Sequence, residues 1–148
     1  MTSVDDLVRW LDEQLKEDER IARAAFWDEQ SDVWTARPPQ ASYERYTVVD
    51  YLDDGVVAVT PENADADGVG QHVAELDPAR VLREIDAKRQ LLDEHQDVND
   101  GSCGTCVDGQ WGYPTHGGSS PQRYPCRTLR LLALPYADRT GYRQEWRP

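Results

Sequence analysis

The sequence predicts an α+β fold, in which a small helical domain carries a β-hairpin or a short antiparallel sheet. Two segments, residues 1–26 and 78–95, repeat apolar side chains at the spacing of an amphipathic helix. Between them, two segments rich in β-branched residues flank the Asp-Asp-Gly sequence of residues 53–55, which is typical of a hairpin turn. One histidine and all three cysteines follow within residues 95–126, and their spacing predicts a zinc-knuckle-like metal site.

The N-terminal helix is predicted over residues 1–26. Ser3, with Asp6 three residues later, resembles a capping box that precedes the apolar positions. The apolar stripe with a 3.6-residue period consists of Val4, Leu7, Leu11, Leu15, Ile21, Ala22 and Ala25, with Trp10 beside it. This stripe predicts one buried face and one charged face in contact with water.

A β-hairpin is predicted over residues 43–60, with residues 43–52 as its first strand and residues 56–60 as its second. Pro61 ends the second strand because proline lacks the N–H that strand pairing uses. An isolated hairpin is only marginally stable in water, so this one must pack against a helix or gain a third strand. A short extended segment is also compatible with residues 33–35.

The long helix is predicted over residues 78–95. Asp77 can accept hydrogen bonds from the N–H groups of the first turn, and Pro78 suits the first helical position, where no N–H is needed. The apolar positions that recur at helical spacing are Leu82, Ile85 and Leu92. A shorter helix is predicted just before Asp77 from the apolar residues Val69, Val73 and Leu76.

Four side chains of segment 95–126 are candidate metal ligands, namely His95, Cys103, Cys106 and Cys126. Thiolate and imidazole groups in this number form the ligand set of a closed tetrahedral zinc site. Two cysteines separated by two residues can turn both sulfurs toward one ion, while the intervening N–H groups face the thiolates. Cys126 is placed near a helix N-terminus, which favours a thiolate. The sequence therefore predicts one structural Zn²⁺ ion per chain.

Other interpretations of these residues stay open. A Cys-x-x-Cys pair can be a redox dithiol, but the strand and helix that flank thioredoxin-type motifs are not predicted here. His116 is the rival fourth ligand, although it lies in a turn-rich segment of prolines, glycines and serines, which favours His95. His72 lies far upstream and is predicted on the surface of the short helix.

Length and composition indicate a single domain, residues 1–148, with a lean apolar core. The chain has 148 residues, a mean hydropathy of −0.77 and 39% hydrophobic residues. No segment resembles a signal peptide or a membrane span, because the longest apolar run is far too short. Three cysteines, an odd number, argue against a secreted disulfide framework. We therefore expect a soluble cytoplasmic protein with reduced thiols.

The charge is divided unevenly along the chain. Residues 1–100 carry 25 acidic and 10 basic side chains, whereas residues 101–148 carry 3 and 6, so the net charge of −12 combines −15 with +3. An acidic surface mostly supports solubility. A more specific interpretation is that the protein is an acidic DNA mimic that inhibits a DNA-binding protein. Such mimicry requires carboxylates arrayed at the spacing of DNA phosphates.

The segment from residue 126 onwards is predicted to be a helix that stops or kinks at Pro135, followed by an aromatic tail. In this tail, aromatic and basic residues alternate: Tyr136, Arg139, Tyr142, Arg143, Trp146 and Arg147. Such a mixture can stack on nucleic-acid bases or on a partner protein. The preferred interpretation is a strap docked on the core, because termini that carry large aromatic residues are usually docked.

Several segments of the chain are similar to those of a known protein family. They are Asp77 to Arg89, His95, the paired cysteines, Tyr124 to Ala133, Tyr136 to Asp138, Gly141-Tyr142 and Glu145 to Pro148. On these residues the chain resembles an uncharacterised family of small actinobacterial and actinophage proteins, domain of unknown function 6221. The resemblance covers nearly the whole chain and is looser over residues 27–67. It implies an actinobacterial or phage source and one full-length domain, and it implies no activity.

We expect a non-enzymatic, zinc-stabilised interaction or regulatory module whose partner is another protein. A four-ligand site leaves no open coordination position for water or substrate. An enzyme would instead need three thiolates plus water, or a carboxylate pair such as Glu75 and Asp77. The alternative is a nucleic-acid-linked protein that acts through the basic aromatic tail or through acidic mimicry. Tight direct binding to nucleic acid is not expected, and neither is a membrane association.

Overall fold

The computed structural model describes residues 6–59, 66–98, 102–106, 109–110, 113–114 and 124–148, and it has the predicted α+β fold. The helices are α1 (Asp6–Ala24), α2 (Ala66–Glu75), α3 (Pro78–Glu94) and α4 (Arg127–Ala133). The strands are β1 (Thr35–Arg37), β2 (Tyr46–Val49), β3 (Gly55–Val59), β4 (Asp97–Val98), β5 (Ser102–Cys103), β6 (Gly109–Gln110) and β7 (Tyr113–Pro114). Single turns of 3-10 helix occur at Leu134–Tyr136 and Gln144–Trp146.

The chain divides into two compact units. One, here called the sheet unit, consists of residues 18–85. The other, the cysteine unit, consists of residues 1–17 and 86–148. The organisation of residues 1–148 as a single domain stays a prediction. None of the helices in the described part of the chain combines the length and the apolar character that crossing a bilayer requires.

The sheet unit contains a three-stranded antiparallel sheet in the order β1-β2-β3. Strands β2 and β3 form the predicted hairpin, with Tyr46 opposite Val59 and Val48 opposite Val57. The hairpin gains both of the expected supports, because β1 pairs with the outer side of β2 and helix α2 packs against β1 and β2. The buried centre of this sheet-and-helix layer is formed by Val48, Val59 and Ala74.

The hairpin turn lies earlier than the Asp-Asp-Gly signal predicts. Strand β2 ends at Val49, and the buried carboxylate of Asp50 accepts hydrogen bonds from the N–H groups of Leu52 (2.9 Å) and Asp54 (3.0 Å). Asp53 takes the left-handed conformation, with φ of 62°, and Gly55 already belongs to β3. The side chain of Asp50 therefore organises the turn. Strand β2 is shorter than predicted, whereas β3 keeps the predicted length of five residues and begins one residue earlier.

Helix α2 packs on the sheet through its small residues. A Cβ atom placed on Gly70 would lie 2.5 Å from Cε1 of Tyr46, so only glycine lets the helix backbone approach this ring. Ala74 is buried, whereas Val69 and Leu76, two of the apolar residues that predicted this helix, are exposed. His72 is on the exposed side, as expected from the sequence.

In the cysteine unit, α1 contributes three fully buried leucines, Leu7, Leu11 and Leu15. The prediction that the buried stripe continues to residue 25 is partly wrong. Ala22 is buried, but Ile21 is 50% exposed and the helix ends at Ala24. The proposed capping residue Ser3 and the first stripe residue Val4 lie outside the described residues. In the first half of α1 the 3.6-residue period thus identifies the buried face correctly.

The C-terminal tail docks as a strap within the cysteine unit. The rings of Trp10, Tyr142 and Trp146 form a cluster with centroid separations of 5.4–5.8 Å. The indole N–H of Trp10 donates to the carbonyl of Thr140 at 3.0 Å, and Trp146 is buried. These aromatic side chains belong to the core, as the strap interpretation predicts.

The start of α3 is built as the sequence predicts. Asp77 is buried and its Oδ1 accepts a hydrogen bond from the N–H of Arg80 at 2.9 Å, while Pro78 is the first helical residue. The Oδ2 atom of Asp77 accepts from the N–H of Trp34 at 3.1 Å, and the Ala79 N–H donates to the Asp32 carbonyl. One carboxylate therefore caps the helix and anchors the segment that leads into β1.

Substitution Asp77→Ala should destabilise the protein by about 2 kcal/mol, because it removes a helix cap and leaves a backbone N–H without a partner. Urea unfolding followed by circular dichroism measures this change. Glu84→Ala is the matched control, since Glu84 lies on the same helix and forms an exposed ion pair with Arg80 that is worth only a few tenths of a kcal/mol. Equal losses in the two variants would contradict the dual role of Asp77.

Candidate metal centre

His95 follows directly on the last residue of α3. Its N–H continues the helical hydrogen bonding by donating to the carbonyl of Leu91 at 3.1 Å. Leu92, one helical turn earlier, is buried in the cysteine unit, and the imidazole of His95 is buried as well. The amphipathic period of α3 thus places this ring on the buried side of the unit.

A short hairpin places the paired cysteines. Strands β4 and β5 are antiparallel, with Asp97 opposite Cys103. The N–H of Gly104 donates to the carbonyl of Gln96 at 2.9 Å, and the N–H of Cys106 lies 3.4 Å from the sulfur of Cys103. This N–H···S contact is the feature that turns a Cys-x-x-Cys segment into a knuckle with both sulfurs on one side.

Thr105 and Thr128 support the cysteines through their hydroxyl groups, and the sequence did not predict these side-chain contacts. The hydroxyl of Thr105 donates to the carbonyl of Glu94 at the end of α3, so it ties the knuckle to the helix that carries His95. The hydroxyl of Thr128 lies 3.9 Å from the sulfur of Cys106. Threonine is common in loops and helix starts, so only the folded arrangement reveals these contacts.

Cys126 precedes the first residue of α4 and occupies its N-cap position. The backbone there is extended, with φ of −69° and ψ of 168°. The Cys126 side chain forms no regular cap hydrogen bond, but the backbone N–H of Leu129 acts to lower the pKa of the thiol. Cys126 and Leu129 are both completely buried, so the start of α4 holds the third sulfur inside the unit.

The three sulfur atoms converge on one nitrogen. Sγ of Cys103, Cys106 and Cys126 each lie 3.4 Å from Nδ1 of His95. All four ligand atoms lie within 4.8 Å of one another. In a tetrahedral zinc site, Zn–S bonds of ~2.3 Å and Zn–N bonds of ~2.0 Å place each sulfur about 3.5 Å from the nitrogen. The three equal distances have the size that a shared ion would impose.

Hydrogen bonding alone does not explain this convergence. A neutral imidazole nitrogen that lacks hydrogen has a single lone pair, so it can accept from only one of the three thiols. All three cysteines are free thiols, which excludes a disulfide among them as the cause. The donor set consists of three soft sulfurs and one imidazole, which suits Zn²⁺ and other metal ions that prefer thiolate. The group could therefore hold one metal ion.

The protonation of the thiols reflects their surroundings. Burial raises the pKa of the Cys126 thiol to about 12, although the Leu129 N–H acts in the opposite direction, and the neighbouring Cys103 adds to the increase. Burial also raises the pKa of the Cys106 thiol, while the Thr128 hydroxyl lowers it. In the absence of a cation, the cluster therefore favours neutral thiols at neutral pH.

The structure brings together all four predicted ligands, His95, Cys103, Cys106 and Cys126. The rival ligand His116 lies outside the described residues. Among the described residues, no other group of three or more histidine, cysteine and carboxylate side chains is close enough to share an ion. Both carboxylate oxygens of Asp77 accept backbone hydrogen bonds, which gives this side chain a structural role at the start of α3.

Comparison with protein-family models finds one match, a family of unknown function (DUF6221), over residues 4–148. The chain belongs to this family. Comparisons with curated proteins and with solved structures find no match. The family assignment agrees with the resemblance seen in the sequence, whereas the actinobacterial or phage source stays a prediction.

Metal affinity should depend steeply on pH, because a bound ion requires thiolates. The pKa values of Cys106 and Cys126 are raised above 9.0, so each thiol carries a proton at neutral pH that the ion must displace. Displacing at least these two protons weakens binding at least about 100-fold when the pH falls from about 8 to about 7. Titration with Co²⁺, followed through its visible absorption, measures this dependence. Equal affinity at the two pH values would show that these thiols do not ligate the ion.

Proposed function

We propose that this protein is a non-enzymatic, zinc-stabilised interaction or regulatory module. The observation that carries the proposal is the convergence of Cys103, Cys106 and Cys126 on Nδ1 of His95 at one common distance of 3.4 Å. Three thiolates and one imidazole complete a tetrahedron, so the site has the ligand number of structural zinc centres. Such an ion would join the end of α3, the β4–β5 knuckle and the start of α4.

The burial of the ligands supports a structural role over a catalytic one. His95, Cys103 and Cys126 are buried, and Cys106 is half-buried. A catalytic zinc ion needs an open coordination position for water or substrate, and a set of four protein ligands fills that position. Reduced thiols at such a site fit a reducing compartment, and we accordingly propose a cytoplasmic location.

Exposed aromatic residues support a partner that is another protein. In the sheet unit, Trp27 is 67% exposed, Tyr51 is 71% exposed and Tyr43 is 87% exposed. Aromatic residues are enriched where proteins contact each other, because they offer large apolar areas with little rotamer entropy to lose. A zinc-stabilised fold that presents such residues suits an interaction role.

One Zn²⁺ ion per chain should be present in protein purified without added metal, as measured by elemental analysis. Its removal by a chelator should unfold the cysteine unit, since structural zinc contributes about 10 kcal/mol of folding free energy near neutral pH. The melting temperature measures this loss. A metal-free preparation that keeps its melting temperature would contradict the structural role.

Matched variants test which of the two candidate histidines is the fourth ligand beside the cysteines. Cys126→Ser should lower the melting temperature far more than His116→Ala, because Cys126 is a buried member of the cluster. His95→Ala should behave like Cys126→Ser and reduce the zinc content. Equal effects of His116→Ala and Cys126→Ser would mean that the fourth ligand has been misassigned.

The arginine residues of the tail have intramolecular partners. Arg143 forms an ion pair with Asp6 (3.1 Å), and its guanidinium lies 5.3 Å from the Trp146 ring. Arg139 packs over the Tyr136 ring at 4.8 Å, and Arg147 donates from Nε to Gln144. These contacts favour a strap over a nucleic-acid surface, because a phosphate would have to displace the internal partners of side chains that are already engaged.

Direct binding to duplex DNA should be weak. Phosphate binding gains its affinity from counterion release, and the chain has a net charge of −12 with its tail arginines engaged in internal contacts. A mobility-shift titration at low and moderate salt measures it. Sub-micromolar binding that weakens steeply with salt, and that is lost in the Arg143→Ala, Arg147→Ala double variant, would overturn the interaction-module proposal in favour of nucleic-acid binding.

A further inference from the structure

An open groove runs between strand β1 and helix α2 within the sheet unit. It has a volume of about 460 Å³, which lies in the range of ligand-binding clefts. Its lining residues are Trp34, Thr35, Ala36, Pro38, Tyr46, Gln71, Ala74 and Glu75. The groove is formed only by residues of the sheet unit, and it is separate in sequence from the four cysteine-cluster ligands.

Two aromatic rings form part of the wall and are held by the surrounding structure. The indole N–H of Trp34 donates to the carbonyl of Ser31 at 3.0 Å, and its backbone N–H donates to Asp77. The Tyr46 ring lies against the backbone of Gly70, where a Cβ atom would clash. Both rings also pack against the buried core of Val48, Val59 and Ala74. The aromatic wall is therefore preorganised, which reduces the entropy lost on binding.

The strand that borders the groove is poorly suited to extending the sheet. β1 lies at the edge of the three-stranded sheet but has only three residues. Pro38 follows at its end and has no N–H to donate, so an added strand would gain few ladder hydrogen bonds. Contacts with ring faces, in contrast, suit a polyproline II segment, which docks its proline rings on aromatic grooves.

Charge narrows the choice of ligand further. Glu75 lines the groove and is exposed. The sheet unit, residues 18–85, contains 15 acidic and 6 basic residues and therefore has a net charge of −9. Such a surface attracts basic segments and repels acidic ones.

We propose that this groove binds an extended, proline-rich segment with basic side chains, presented by a partner protein. The prolines pack on Trp34 and Tyr46, and a basic side chain pairs with Glu75. This inference rests on the proposed interaction role and names the surface that performs it. It does not depend on the metal, because every residue lining the groove belongs to the sheet unit.

The test uses the full chain, labelled with ¹⁵N, and the probe peptide acetyl-Arg-Pro-Pro-Leu-Pro-Pro-Arg-amide. The peptide should shift the Trp34 indole N–H resonance and the backbone amides of Thr35, Ala36 and Ala74 in a saturable manner. Two control peptides separate the contribution of the proline rings from that of the basic side chains. One has glycine in place of each proline, and the other has aspartate in place of each arginine. Both should bind at least several-fold more weakly than the probe.

A pair of charge reversals tests the position of the ligand. Glu75→Lys should weaken binding of the probe about threefold or more, as expected for the loss and reversal of an exposed charge contact. Glu29→Lys changes the net charge equally, and Glu29 is exposed and does not line the groove, so it should change binding much less.

Three results would overturn the proposal: no saturable shift at Trp34, equal binding of the glycine peptide, or equal effects of the two charge reversals. Tighter binding of a β-strand peptide rich in valine and threonine would also overturn it, in favour of sheet extension. Zinc content is measured on the same sample. If the chain contains zinc but does not bind the probe, only the proposal for this groove is refuted. If the chain lacks zinc and binds the probe, the proposal of a zinc-stabilised module is refuted.

Discussion

The convergence of three sulfurs on His95 is the constraint on which the cysteine unit depends. Cys103, Cys106 and Cys126 come from a knuckle and from a helix start that are distant in sequence, and each sulfur lies 3.4 Å from the same nitrogen. One nitrogen lone pair cannot satisfy three buried thiols, so hydrogen bonding does not account for the energy of this arrangement. A single metal ion would satisfy all three sulfurs at once. Apart from α3, the elements around the cluster are short, with two-residue strands and a seven-residue helix, and such elements have little stability of their own.

The aromatic C-terminal tail is a second constraint on the cysteine unit. Its packing against Trp10 requires a glycine at position 141. Gly141 has φ of 93°, a conformation that side-chain-bearing residues rarely adopt, and a Cβ atom there would lie 2.7 Å from Nε1 of Trp10. The tight approach lets the Trp10 indole donate to the Thr140 carbonyl. Tyr142 and Trp146 then close over the same ring. The tail thus supplies apolar burial that a chain with 39% hydrophobic residues otherwise lacks.

Local signals in the sequence predicted the features that depend on neighbouring residues. Asp77 and Pro78 identified the start of α3 because a helix cap is formed within one turn, and the His-Cys spacing identified the cluster because metal ligands tolerate few geometries. The prediction was wrong in two places. The hairpin turn begins at Asp50 because its carboxylate accepts hydrogen bonds from the N–H groups of Leu52 and Asp54, a local signal that competes with the Asp-Asp-Gly sequence. Ile21 is half exposed although it continues an apolar stripe, because its burial depends on tertiary packing. The groove beside β1 could not be predicted, since it requires the packing of α2 against the sheet.

The distribution of charge bears on whether the protein interacts with nucleic acid or with another protein. The tail arginines, which in the sequence suggest a nucleic-acid surface, are engaged with Asp6, Tyr136, Gln144 and Trp146 inside the cysteine unit. The ion pair with Asp6 offsets the charge of Arg143, and the ring contacts of Arg139 and Arg143 help to fix the strap. The sheet unit has a net charge of −9, and its exposed aromatic residues include Tyr43 and Tyr51. Aromatic contact area combined with negative charge suits the proposed partner, a basic peptide segment with apolar side chains, and repels a phosphate backbone.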